Sequence, residues 1–271
     1  MRMLRVMALL AATAVMAGCL SVDSNIKVKP DGTGTIEQTM LVNSSAMGMM
    51  AMMGEPAEGS EAPTAETMFS EEKLRADAAK LGEGVTYVSS TPVAQGEMKG
   101  VTAIYAFTDF NKLNINTSPD LDTGDDDEGS SGDTLDMALS KRGGSSLISF
   151  NLFGRDEPPA ATEDAADPGE SPFGDMPKEM MGMLAPMFKD MRVAVSVEPQ
   201  GELVRTNATH VNGQRVTILD IAFGELFADP AGLEKLEKLG KKPSLEQLRT
   251  ALAGVKGIKL NDADPLEIEF R

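Results

Sequence analysis

The segment SNIKVKPDGTGTIEQTMLVN, residues 24–43, alternates in character on both sides of a Pro30-Asp31-Gly32 turn. Ile26 and Val28 precede the turn; Ile36, Thr39 and Leu41 follow it. A period of two sends successive side chains to opposite faces of a strand, a pattern that an amphipathic helix does not use. Proline presets φ and glycine supplies a positive φ, so the two runs predict a hairpin. The same pattern returns along the chain. GVTYVSSTPV and KGVTAIYAFTDF predict a strand pair, and TLDMALS and SLISFNLF predict a second hairpin around KRGG. RVAVSVEP, GQRVTILDIAF, GIKL and LEIEF predict further strands.

Helical signals are fewer. In SEEKLRADAAKLG, residues 70–82, Ser70 stands as N-cap with acids in the first turn. Leu74, Ala78 and Leu81 form a stripe, and Gly82 stops it. In DPAGLEKLEKLG, Asp229 caps a helix with Pro230 at its first position; in PSLEQLRTALAG, Ser244 and Gln247 have capping-box spacing. The strands come from distant parts of the chain and do not alternate strictly with helices. This predicts an α+β fold, a mainly antiparallel sheet with helices packed on one face, as one domain over residues 25–271. Segments 54–66, 116–133 and 154–175 are Glu/Pro/Ser/Gly-rich or acidic. They lack the apolar content to offset ordering entropy and are expected to be mobile insertions.

The N-terminus has a different logic. Arg2 and Arg5 precede an apolar run over residues 6–17, too short for a membrane span of about 20 residues, which predicts a helical export signal over residues 1–18. Val15-Met16-Ala17-Gly18 then leads into Cys19, the only cysteine, so no intramolecular disulfide can form. A lone cysteine after small residues resembles the lipobox of bacterial lipoproteins. The resemblance implies a diacylglyceryl thioether on Cys19, cleavage before it and acylation of the new amine, with residues 19–24 as a lipid-anchored tether. Several acyl chains, at about 0.8 kcal/mol per buried methylene, anchor a chain stably where one does not. Leu20 and Ser21 follow the cysteine, with no Asp, which favours the outer membrane in a Gram-negative host. The net charge is −17, and the leader carries two arginines and no acid, so the mature chain stands at −19. Such a chain is repelled by nucleic acid and by anionic lipid surfaces. Its membrane partnership is expected to run through the lipid on Cys19, with no nucleic acid as partner.

Catalytic chemistry finds little support. His210 in NATHVNG stands beside a predicted turn, and no nucleophile-elbow pattern accompanies it. Measured from Asp120, the acidic stretch puts Asp125 where a calcium loop needs Gly, and Ser131 where it needs Glu. No enzyme activity, cofactor or metal is expected. Two methionine-rich runs remain. Met47, Met49, Met50, Met52 and Met53 supply closely spaced thioethers, ligands that select Cu(I), but no His or Cys joins them. In the second run Met176, Met180, Met183, Met187 and Met191 share a helical face with Leu184 and Phe188, opposite Lys178, Glu179, Lys189 and Asp190. Pro186, four residues after Gly182, predicts a kink there. Met49, Met50, Met53, Met180, Met183 and Met187 are therefore candidates for an adaptable apolar surface. They would pack on the core, cover an apolar ligand or touch the membrane.

MRVAVSVEPQGELVRTNATHVNGQRVTILDI, residues 191–221, combines a Val-rich strand, a Pro/Gly turn, a short strand ending in Thr-Asn, a Gly turn and another strand. With VKPDGTGTIEQTMLV and LSKRGGSSLISFNL upstream, it resembles the LppM-like lipoprotein domain. The matching positions are Val193, Val195, Val197, Pro199, Gly201, Val204, Asn207, Gly213 and Val216, while Gln200 splits Pro199 from Gly201 and Ile218 stands where that family often has Trp. The resemblance implies an α+β lipoprotein domain without catalytic residues, with lipid or glycolipid binding suggested for a relative. The function expected on these grounds is a membrane-anchored, non-enzymatic envelope lipoprotein that binds lipid or another apolar ligand. A structural or assembly lipoprotein contacting another envelope protein is the alternative, and Cu(I) handling the third.

Overall fold

The computed structural model describes residues 20–43, 64–115, 135–152, 189–237, 250–261 and 263–271. Its strands are β1 (Leu20–Val28), β2 (Gly34–Asn43), β3 (Thr86–Gln95), β4 (Met98–Phe107), β5 (Asp136–Arg142) and β6 (Ser145–Asn151). β7 (Arg192–Pro199), β8 (Leu203–Thr206), β9 (Val211–Asn212), β10 (Arg215–Ala222), β11 (Ile258–Leu260) and β12 (Leu266–Phe270) follow. A large sheet runs in the order β11-β10-β7-β1-β2-β4-β3, with β9 on β10, and a small sheet runs β5-β6-β12-β8. Among the described residues only β1 and β7 pair in parallel; the other ladders are antiparallel.

The hairpins lie where alternation and turn chemistry put them. Gly32 has φ 92°, and the Asp31 carboxylate accepts the Thr33 N–H at 2.9 Å and the Thr33 hydroxyl at 2.8 Å. One boundary moves. Leu20 pairs with Val42, and Ser21 pairs with both Leu41 and Arg192, so residues 20–24, read as a tether, are the first half of β1. Leu20 and Val22 continue the period of Ile26 and Val28, and strands on both sides satisfy their backbone groups.

The partner layer is the second sheet. Ile26, Val28, Ile36, Tyr105, Val197 and Ile218 of the large sheet share one buried cluster with Ile148, Phe150, Leu266, Ile268 and Phe270 of the small one. The chain is thus mostly β, with two mainly antiparallel sheets in place of the single sheet expected. The reason is physical: a strand alternates in the same way whichever sheet it joins. The described helices are short: α1 (Ala65–Met68), α2 (Glu71–Asp77), α3 (Phe223–Phe227) and α4 (Pro230–Glu237). α2 runs into a 3-10 turn, Ala78–Leu81, that Gly82 ends at φ 135°, and its Leu74 and Ala78 enter the core as the stripe predicted. α1 begins inside the expected loop 54–66, because Thr64 and Thr67 cap each other reciprocally, Thr67 N–H to the Thr64 hydroxyl at 3.2 Å and Thr64 N–H to the Thr67 hydroxyl at 2.9 Å. No described helix is long and apolar enough to cross a membrane.

Three asparagine side chains extend the ladders by imitating a peptide unit. Asn111 accepts the Leu139 N–H at 2.7 Å and donates to its carbonyl at 3.3 Å on the open edge of β5. Asn207 does the same for Glu267 N–H and the Pro265 carbonyl. Asn261, 1% exposed, accepts from Thr209 and donates to the Thr217 carbonyl.

Phe150 is fully buried on β6 and meets Phe110 edge-on at 6.3 Å between ring centroids. Phe150→Ala is expected to lower stability by about 3–5 kcal/mol through lost burial and the cavity left between the sheets. Urea unfolding followed by circular dichroism measures it, and an unchanged midpoint would contradict a core shared by the two sheets.

Candidate functional site

The sequence-predicted site residues Cys19, Met49, Met50, Met53, Met180, Met183 and Met187 lie outside the described residues. So do Met47 and Met52 of the first run, the acidic stretch 116–133 and the segment 154–175. The points where these segments join the fold are described. Asn43 ends β2 just before the first methionine run. Of the second run only Lys189, Asp190 and Met191 are described: the first two form a turn and Met191, 4% exposed, leads into β7, so the helical face read for the run does not reach Met191. The Asn43 amide donates to the Asp190 carboxylate at 3.3 Å, and β1 starts between these two strands, directly after Cys19. Leu20, which follows the cysteine in sequence, and Asn43 and Lys189, which flank the methionine-rich segments, therefore lie at the same end of the large sheet.

The face of the large sheet opposite the core carries a connected polar network. Strand alternation places Asp23, Asn25 and Lys27 of β1 on this face beside Ser196 and Glu198 of β7, because the parallel register pairs Asn25 with Ser196 and Lys27 with Glu198. Lys27 pairs with Glu37 of β2 at 2.7 Å, and Asn25 donates to Glu198 at 3.0 Å. The Ser196 hydroxyl donates to Asn25 at 3.0 Å and accepts from Arg215 Nε at 2.7 Å. Arg215 reaches on to Asp23 at 2.7 Å. At the β10 side, Asp220 takes Arg192 Nε at 2.7 Å and Lys259 Nζ at 2.8 Å. Asp220 is 5% exposed and Ser196 2%, so the centre of the network is dry although its cations reach solvent.

Its electrostatics favour fixed charge over proton transfer. Burial alone raises the Asp220 carboxyl, but hydrogen bonds from Arg192 and Lys259, with their charges, outweigh it and hold the group below its ordinary value of 3.8. The bond to Asp220 raises Arg192 in turn, and the bond to Glu37 raises Lys27. A carboxylate held by two cations is a poor general base at neutral pH. The shallow depression beside it, about 310 Å³ and lined by Arg192, Asp220, Glu225, Gly257, Ile258 and Lys259, holds no described nucleophile. His210 sits half-buried in the β8–β9 turn and gives its carbonyl to Thr217 N–H at 3.0 Å. Among the described residues no group of three or more His, Cys, Asp or Glu is placed to hold a metal ion.

Sequence reading missed this network. One signal was present: Asp220 interrupts the apolar run VTILDIAF. Which cations answer it depends on the register of β10 against β7 and β11, which the run itself does not encode. A second buried polar group has no answer. The Tyr105 hydroxyl is the one buried side-chain polar atom among the described residues without a hydrogen-bond partner, and burial, with Asp77 nearby, raises its pKa.

No protein-family model matches the chain, and no curated protein matches it. Among solved structures it is similar to the folded domain of LppM from Mycobacterium tuberculosis, determined by NMR. Sequence identity is 11%, 94% of this chain and 91% of that chain are covered, and the TM-score is 0.33. At that score the likeness supports no conclusion, and function has to be argued from the chain itself.

Two substitutions test the polar groups. Asp220→Ala is expected to cost about 1–2 kcal/mol at neutral pH, the lower range because Arg192 and Lys259 are half exposed and rehydrate. The folded pKa lies below the unfolded one, so this stabilisation is present above about pH 3.8 and is lost as pH falls through the folded value. The difference between wild type and variant in urea midpoint should therefore shrink in acid; a difference that grows there would refute the assignment. Tyr105→Phe is expected to leave the midpoint unchanged or raise it, since an unpaired buried hydroxyl is removed; a loss beyond about 1 kcal/mol would show that the hydroxyl is paired.

Proposed function

We propose that the chain is a membrane-anchored bacterial envelope lipoprotein whose β domain is a non-enzymatic binding module for an acyl lipid or another apolar envelope component. The observation that carries this reading is the common exit. β1 begins one residue after Cys19, and both methionine-rich runs join the fold beside it, through Asn43 and Lys189. Acylated at Cys19, the domain holds its most adaptable apolar sequence next to the lipid. Met49, Met50, Met53, Met180, Met183 and Met187 are the proposed apolar contact surface, and the helical stripe read from the second run would add the helical cover on one face of the sheet. The absence of Asp after Cys19 favours the outer membrane in a Gram-negative host.

A structural or assembly role is the second reading, and one observation favours it. β3 is an uncharged ten-residue edge strand that exposes Val88 at 54%. A bulge at Val88 and Pro92 within the strand blunt that edge, which counts against strand addition by a partner.

The anchor is tested by Cys19→Ser, expected to move the protein from the membrane to the soluble fraction; membrane retention of the variant would refute the anchor. Ligand binding is tested by native mass spectrometry of wild-type protein extracted in mild detergent. A co-purifying lipid mass is expected, lost when the six methionines above are changed to glutamine. Absence of bound lipid, with a reproducible protein partner in cellular cross-linking, would overturn the lipid reading in favour of assembly.

A further inference from the structure

The large sheet has two ends, and the chain uses them differently. At one end β1 starts, β2 finishes, β4 and β7 start and β10 finishes: Leu20 pairs with Val42, Val42 with Lys99, Ser21 with Arg192, and Arg192 with Ala222. α3 caps the β10 corner, where Phe223 N–H donates to the Met191 carbonyl at 3.0 Å and the half-buried rings of Phe223 and Phe227 lie 6.4 Å apart. We infer that this end of the sheet is a membrane-docking surface, resting directly on the lipid headgroups with the strands standing away from the bilayer. The inference rests on the proposed acylation of Cys19 and adds to it the orientation of the domain.

The first reason is the absence of slack. One peptide joins Cys19 to Leu20, about 3.8 Å between Cα atoms, and Leu20 is already paired with Val42. Acyl chains in the hydrocarbon draw their cysteine to headgroup level, and the sheet end must follow. A flexible tether would have left every orientation open; a central strand leaves one end of the sheet beside the lipid.

The second reason is charge. The chain carries −17, so a surface that rests on an anionic leaflet must not add to that repulsion. At this end exposed Lys99, Lys189, Arg192 and Lys256 offset Glu97, Asp190, Glu225 and Asp229. The described charges at this end thus cancel and set up no repulsion against the headgroups. The third reason is that the opposite end is occupied. There the Pro30 carbonyl accepts from Ser146 at 3.0 Å and from Lys141 of the small sheet. The nine residues of β1, at about 3.3 Å each, place that turn about 30 Å above the headgroups.

Because Cys19 is the only cysteine and the proposed acylation blocks its thiol, single introduced thiols report position cleanly. Glu97→Cys and Lys189→Cys sit at the proposed docking end, Lys29→Cys and Arg142→Cys at the far end, and all four side chains are exposed. Each variant, expressed with its leader so that it is acylated, is labelled with an environment-sensitive fluorophore. It is then reconstituted into phosphatidylethanolamine–phosphatidylglycerol vesicles carrying a headgroup-level quencher. Most of the emission is expected to be lost at the first two positions and almost none at the last two. Equal quenching at all four positions, or stronger quenching at the far end, in protein that floats with the vesicles would overturn the docking orientation and leave the anchor standing. Protein that fails to float would remove the anchor and the orientation together.

Discussion

The pairing of β1 with β7 is the contact on which the rest of this protein depends. Among the described residues it is the one parallel ladder, and it joins Asn25 to Ser196, 171 positions along the chain. Local hairpins can form without it, but alone they leave one side of β1 unpaired and one face of the sheet uncovered. Closing β1 against β7 brings β10 and β11 into the same sheet and puts Val195 and Val197 beside Ile26 and Val28. A parallel neighbour needs a long crossover, and this one passes through β5 and β6, which form part of the second sheet over the core.

The two faces of the large sheet then diverge. Toward the small sheet they are apolar and fully buried, with Phe107, Phe110 and Phe150 in contact across the gap. Away from it the same strands carry Asp23, Asn25, Arg192, Ser196, Arg215 and Asp220, joined by hydrogen bonds of about 3 Å or less. These bonds fix the order β10-β7-β1 from the outer side, because Asp220 is answered from the strands on either side, Arg215 reaches across β7 to Asp23 of β1, and a slipped register would leave Asp220 buried without a partner. The network is built to hold strands together, which is why it offers no free base or nucleophile.

Much of the strand content was legible. Alternation around Pro30-Asp31-Gly32 located β1 and β2, and the KRGG turn located β5 and β6, because turn chemistry and period are local properties. The stripe Leu74, Ala78 was read correctly for the same reason. What local reading missed has a common cause. Residues 20–24 looked like a tether because Ser21, Asp23 and Ser24 are polar, yet Ser24 is 6% exposed once β2 and β7 flank it. The loop ending at 66 hid α1 because the reciprocal Thr64–Thr67 cap outweighs a poor helical composition over a single turn. The division of strands between two sheets, and the partners of Asp220, belong to pairs of residues far apart and leave no periodic trace.

Neighbours a few positions apart carry where the chain alternates, where it turns, the apolar run ahead of a single cysteine, the methionine-rich composition and the strong negative charge. Those are properties of spacing and side-chain chemistry. That Leu20, Asn43 and Lys189 meet at one end of one sheet follows from the tertiary structure alone. Their nearness is created by the antiparallel ladder from Leu20 to Val42 and the parallel ladder from Ser21 to Arg192, and backbone hydrogen bonds between strands are indifferent to the side chains that sequence reading relies on.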